Sequence, residues 1–259
     1  MSRPGPGVAA ARGDKSPLAF ALAGACVLAL VLGIGRFAYT PMLPPMLEGG
    51  GLSLAGAGYV ASANFLGYLA GALLATRAVF AVDRVRWLRI AVALSIATTA
   101  AMALDAGVFG WAVLRFAGGM ASAFALVYVS GMIFDVAIRS ARPMLGSVLY
   151  AGVGVGIALS ALVVHLGRGA GLGAPALWSA MGALSVLLAI DPWRRLTLPA
   201  ALAPTASRAT QARTDASRAL RRLTLAYGCL GFGYVITATF IVVMSAGCPI
   251  RRPGSSGPG

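Results

Sequence analysis

Two arginines interrupt otherwise apolar runs of this chain: Arg36, in Gly33-Ile34-Gly35-Arg36-Phe37, and Arg115, in Ala112-Val113-Leu114-Arg115-Phe116. A guanidinium stays charged and presents a planar fork of donors that matches a carboxylate or a phosphate. Keeping such a charge in an apolar setting costs several kcal/mol, so each arginine is a functional candidate by default. The chemistry on offer is binding of an anionic group. Snorkelling is the alternative, in which a long side chain buries its stem and carries its head to a nearby interface. The carboxylates lie elsewhere: Asp14, Glu48, Asp83, Asp105, Asp135, Asp191 and Asp215 all fall in tails, connections or the ends of apolar runs. The single histidine, His165, sits at the end of a run. Proton-coupled export of cations needs a buried acid that can be neutralised, so an anionic or polar organic solute is favoured over a cationic one.

Other polar groups could complete such a site. Asn64 and Tyr68 are four apart and share one helical face, and Tyr39, Tyr150 and Tyr234 add hydroxyls. For any one of them, polar glue between helices is the better-favoured reading. Gly67 and Gly71 form a Gly-xxx-Gly pair, while Gly152, Gly154 and Gly156 thin a later run. Close backbone packing explains these glycines; a bend or gating point at 152–156 is the sharper alternative. Cys26, Cys229 and Cys248 are too few and too scattered for a disulfide framework or a metal site. No His-Glu-x-x-His or Gly-x-Ser-x-Gly motif is present, so an enzyme is disfavoured and no cofactor is expected.

The elements that must hold these residues follow from composition. The 259 residues are 59% hydrophobic and 11% charged, with mean hydropathy +0.84. A soluble domain is about 25% charged, so too little polar surface exists here to face water, and lipid is the alternative solvent. About 20 apolar residues cross the hydrocarbon core as a helix. Seven stretches qualify: 17–40, ending at Pro41, Pro44 and Pro45, then 53–75, 88–104, 108–134, 144–166, 175–190 and 223–246. With spans ending there, Arg36 and Arg115 lie at similar depth, roughly 8–10 Å below the outer surface at about 1.5 Å of rise per residue.

The net charge of +14 is spread over tails and connections rather than gathered in one patch, which speaks against nucleic acid. Of the basic residues outside the spans, all but Arg168, Arg251 and Arg252 fall on the side of the N-terminus. The N-terminus is therefore expected in the cytoplasm of a cell whose inner membrane holds the chain. The expected organisation is a cytoplasmic tail 1–16, six spans over 17–190, a cytoplasmic linker 191–222, a seventh span 223–246 and a tail 247–259.

Several runs carry a family resemblance. The stretch Gly33-Ile34-Gly35-Arg36-Phe37-Ala38-Tyr39-Thr40-Pro41, the stretch Ser62-Ala63-Asn64-Phe65-Leu66-Gly67-Tyr68-Leu69-Ala70-Gly71 and the stretch Tyr150-Ala151-Gly152-Val153-Gly154-Val155-Gly156 resemble the YbfB-like branch of the major facilitator superfamily. The similarity covers roughly residues 17–245. Arg115, Gly119 and Ala123, at spacing four, match a superfamily pattern in the fourth span. Asp83-Arg84 with Arg86 and Arg89 resembles its cytoplasmic loop motif, with Val85 where a glycine is usual.

The resemblance implies an all-α membrane protein: the six-helix N-terminal half of a facilitator-type transporter plus one helix of a second half. It implies alternating access with the lipid bilayer and a small-molecule substrate as partners. In the resembled fold the first and fourth spans line the central cavity, so it implies cavity positions for Arg36 and Arg115, with a structural or proton-path role beside substrate contact for Arg115; Tyr39, Asn64, Tyr68 and Tyr150 are the further candidates for substrate contact. For Asp83, Arg84 and Arg86 it implies gating, and for Gly33, Gly35 and Gly119 helix packing. It also implies twelve spans. Gly231-Phe232-Gly233 echoes Gly33-Ile34-Gly35 and reads as the start of a second repeat. The polar tail after Cys248 reads as a truncation or shifted frame, so the alternative expectation is a fragment that does not transport alone, or one that needs a partner.

Overall fold

The computed structural model describes residues 16–49, 51–77, 83–196, 222–231 and 233. The chain divides into two compact units, Met1–Ala203 and Pro204–Gly259. In the second, residues 222–231 are helical; apart from Gly233 and Ser16, the remainder of the predicted seventh span and both predicted tails lie outside the described residues. Every described element is helical: α1 (Pro17–Leu28), a π-helical segment (Ala29–Ile34), α2 (Tyr39–Glu48), α3 (Leu54–Ala75), α4 (Arg84–Ala101), α5 (Gly107–Arg139), α6 (Met144–Gly169) and α7 (Ala174–Arg195). With no water in the bilayer core, helices pair their own backbone groups, which is why apolar runs of this length fold so.

By length and composition, five helices are able to cross a membrane: Pro17–Glu48, α3, α5, α6 and α7. The predicted third span corresponds to α4. It begins earlier than expected, at Arg84, because the Asp83 carboxylate caps it by accepting from the Arg86 N–H at 3.0 Å. Its first turns therefore carry Arg84, Arg86 and Arg89, and it is not among those five. The sixth span also runs further than expected, through Pro192 to Arg195, where an Asp191–Arg195 ion pair spans its last turn.

The first span departs most from expectation. Pro41, Pro44 and Pro45 do not end it; they lie within α2, which runs to Glu48. Pro41 is the third residue of α2, among first-turn N–H groups that have no intrahelical partner in any helix, so its missing donor is harmless there. The whole span is 32 residues long. Arg36 consequently lies deeper than expected, roughly 18 Å from the Glu48 end at about 1.5 Å per residue.

Glycines set the packing of the bundle. A Cβ on Gly152 would collide with the Ala25 carbonyl, one on Gly156 with that of Ala29, and one on Gly33 with the backbone of Gly156. A parallel seam joins α3 to α5, where Gly67 meets the Phe116 carbonyl, Gly71 meets Met120, and Gly119 meets the Asn64 carbonyl. Without a hydrophobic drive in lipid, such close backbone approach supplies the dispersion contacts that hold helices together. Gly154, between two seam glycines, has open space around it.

Two apolar clusters fill the interior. One is built on residues such as Leu28, Leu88, Met132 and Leu149, the other on Ile34, Met42, Trp178 and Met181. The first span contributes to both, with its buried residues up to Leu32 in the first and from Ile34 onward in the second.

Candidate functional site

The break in the first span is local and specific. The Gly35 N–H donates to the Leu30 carbonyl at 2.8 Å and that of Phe37 to Leu32 at 3.0 Å, both five residues back rather than four. Such π-turns are rare and cluster at functional sites. Past the wide turn, the Thr40 N–H donates to Phe37, three residues back. The Arg36 carbonyl thereby loses the donor that a continuous helix would bring to it.

Arg115, from α5, meets that need. Its Nη1 donates to the Gly35 carbonyl at 2.6 Å and its Nη2 to the Arg36 carbonyl at 2.8 Å. The residue is 5% exposed, so its guanidinium is turned onto backbone inside the bundle and does not snorkel. The Tyr39 ring lies 4.9 Å from the guanidinium carbon, presenting its electron-rich face. The Tyr39 hydroxyl donates to the Ala57 carbonyl on α3 at 3.1 Å. Asn64 on α3, itself buried, donates to the Arg115 carbonyl at 2.9 Å. Asn64, Arg115 and Tyr39 thus form one support joining α3, α5 and the two parts of the first span.

The Arg36 side chain leaves this support and stacks on aromatics. Its guanidinium carbon lies 4.1 Å from the Tyr68 ring centroid, 4.9 Å from that of Phe65 and 5.8 Å from that of Phe37. Arg36, Phe65 and Tyr68 are each partly exposed. Tyr68 is within electrostatic reach of both Arg36 and Tyr150, and Arg36 and Arg115 are within reach of one another. Tyr150 is itself 46% exposed, with its ring 6.3 Å from that of Phe134.

The residues singled out by spacing therefore separate. Arg36 and Tyr68 are stacked and partly exposed, and Tyr150 is within electrostatic reach of Tyr68. Arg115, Asn64 and Tyr39 lie behind them, bonded to backbone. Gly35 is fixed by a neighbour: a Cβ there would press on the Ser95 hydroxyl of α4. Phe65 and Phe37 were not singled out by spacing; their place beside an intramembrane arginine is the signal that finds them.

Asp83, Arg84 and Arg86 lie apart from this site, at the N-terminal end of α4. Asp83 is the cap described above, Arg84 pairs with Asp135 of α5 at 3.4 Å, and Arg86 is exposed. A basin of about 590 Å³ lies at the other end of the bundle, beside the two-pronged Glu48–Arg168 pair, whose two N···O distances are both 3.0 Å. None of the arginine-site residues lines it. No group of His, Cys, Asp and Glu able to hold a metal occurs among the described residues.

A family model described as an uncharacterised MFS-type transporter, YbfB, matches residues 28–249. No curated protein and no solved structure matches the chain.

Proposed function

The chain belongs to the family of the uncharacterised MFS-type transporter YbfB, a family of membrane transporters, and from that premise we propose that it moves a small anionic or polar organic solute by alternating access. The observation that carries this reading is the Arg36 guanidinium, stacked 4.1 Å from the Tyr68 ring in a partly open position. A stacked guanidinium is pre-oriented, so less side-chain freedom is lost when its remaining edge meets an anion.

In this reading Arg36 contacts the solute, with Tyr68 and Tyr150 offering hydroxyls beside it. Arg115, Asn64 and Tyr39 are positioning residues: they hold the break from which Arg36 reaches the Tyr68 and Phe65 rings. No Asp or Glu lies mid-span among the described residues, which supports an anion over a cation. The distribution of Lys and Arg supports an inner-membrane protein with its N-terminus in the cytoplasm. Asp83, Arg84 and Arg86 then belong to the cytoplasmic rim, where exchange of the Arg84–Asp135 pair contributes to gating. The solute carries the chemistry alone, without a cofactor.

Proteoliposomes test the reading. Uptake from a panel of organic anions, zwitterions and cations is compared between the native chain, Arg36→Ala and Arg36→Lys. Anion uptake is expected to fall at least about tenfold in Arg36→Ala, the effect of losing one charge-assisted contact. Unchanged uptake in a properly inserted Arg36→Ala protein removes Arg36 from the site.

A further inference from the structure

The helices α3 and α4 both pack on α5 and leave an open-sided groove between them. It has a volume of about 220 Å³, with Leu74, Trp87, Ile90, Leu94, Met120 and Phe124 among its walls. Its lining is apolar along its length, with a floor sealed by Ala91 and Ala121, both almost fully buried. A groove on a membrane-spanning bundle has hydrocarbon as its surrounding solvent. An unfilled one forfeits the dispersion contacts of every wall atom, so an acyl chain is the natural occupant.

Two arginines flank one mouth of the groove. Arg77 lies two residues past the end of α3, its N–H donating to the Leu74 carbonyl at 2.9 Å, and Arg86 precedes Ile90 by four on α4. That closing turn, and the four-residue step that stays on one helical face, set each arginine about one turn beyond a wall residue, toward the end where α3 finishes and α4 begins. Both are exposed. Their neighbours are committed elsewhere: Arg84 pairs with Asp135, and Arg89 donates to the Trp193 carbonyl at 3.3 Å while stacking on its ring. Arg77 and Arg86 form no ion pair among the described residues; the one acid between them in sequence, Asp83, accepts from the Arg86 backbone N–H as the cap of α4 rather than from either guanidinium.

We infer that this groove with Arg77 and Arg86 binds one anionic phospholipid, the acyl chain lying between α3 and α4 and the phosphate meeting the two guanidinium groups. Basic residues at a leaflet surface attract anionic headgroups, and the fork of arginine suits a phosphate diester. Phosphatidylglycerol is the test lipid and phosphatidylcholine the neutral-headgroup control. Only the name of the leaflet, cytoplasmic, rests on the proposed orientation; the site itself is independent of what the protein transports.

Native mass spectrometry of the detergent-purified full chain, titrated with equimolar phosphatidylglycerol and phosphatidylcholine, reads the site without a transport assay. One phosphatidylglycerol is expected to be retained preferentially. In Arg77→Gln/Arg86→Gln that preference falls by on the order of tenfold, the contribution of two arginines near a headgroup. In Arg142→Gln/Arg194→Gln, which removes two exposed charges elsewhere, it persists. Leu74→Trp fills the groove from its open side and lowers retention with both arginines intact. Unchanged preference in Arg77→Gln/Arg86→Gln, or equal loss in both double variants, overturns the site. Full retention in Leu74→Trp overturns the groove as the acyl seat.

Discussion

Arg115 and Gly35 lie 80 positions apart in the chain, yet the guanidinium of one donates to the carbonyl of the other at 2.6 Å, at the point where the first span changes helix type. A charge buried in this bundle is thus stabilised by carbonyl dipoles and a ring face. Removing it leaves two carbonyls in a setting where water cannot replace the donor. Each lost bond to a charged group is worth about 1.5–3 kcal/mol. Arg115→Met is therefore expected to lower the thermal midpoint of the detergent-solubilised protein markedly. Arg115→Lys has a single-point ammonium in place of the fork and is expected to fall between. Equal midpoints for all three proteins would show that the bridge contributes nothing.

The aromatic cradle of Arg36 distinguishes ring from hydroxyl. Tyr68→Phe keeps the π face and is expected to stay within about threefold of the native affinity for a transported anion. Tyr68→Leu loses a contact worth about 0.5–2 kcal/mol, so affinity drops by roughly tenfold. Competition binding on purified protein checks this; a Tyr68→Phe loss as large as that of Tyr68→Leu would assign the effect to the hydroxyl instead.

Gly154 and Gly156 provide a matched pair on one helix. An added methyl at 154 meets open space, whereas at 156 it meets the Ala29 backbone. Gly154→Ala is expected to behave as the native chain in size-exclusion chromatography. Gly156→Ala forces two helices apart, with an overpacking cost of about 1–3 kcal/mol, and broadens or aggregates the peak. Indistinguishable profiles would mean that the seam yields easily.

At the N-terminal end of α4 the effects are smaller. Asp83→Ala removes a helix cap worth about 1 kcal/mol. Arg84→Gln removes a half-exposed ion pair with Asp135 worth about 1 kcal/mol or less. Because the two residues are neighbours, the double variant is expected to depart from the sum of the single changes. A gating role appears instead as a changed transport rate at unchanged solute affinity; a change in affinity alone would point away from the rim.

Orientation is read by labelling. In a chain freed of Cys26, Cys229 and Cys248, a cysteine at Glu48 is expected to react with an impermeant maleimide on intact cells. One at Arg142 reacts only after permeabilisation. The reverse pattern inverts the charge-based topology.

Much of the bundle was legible in the chain, because a run of apolar residues long enough to cross lipid has few other ways to fold. The glycine seams were legible for a similar reason: a residue type that only close approach favours recurs there at helical spacing. The break at 35–38 was not legible. Pro41, Pro44 and Pro45 read as a terminator because a proline signals the end of one helix as readily as the first turn of the next. The partners of Arg115 were hidden for a different reason. It donates to backbone carbonyls, which every residue carries, so no pattern of side chains advertises them. Arg36 and Arg115 looked equivalent by depth and type, and only their surroundings separate the stacked group from the bridging one.

The π-helical segment Ala29–Ile34 sets a phase as well as a bend. Its wide turns hold about one residue more than an α-helix would, and one residue is about 100° of rotation about the axis. Everything beyond Ile34 is clocked by that amount against α1. Tightening the segment into regular α-helix would swing Arg36 about a quarter-turn away from Tyr68 and draw the Gly35 and Arg36 carbonyls off the Arg115 fork. The azimuth of the Arg36 guanidinium is thus stored several residues below it, in a buried stretch of apolar residues, Ala29 to Ile34.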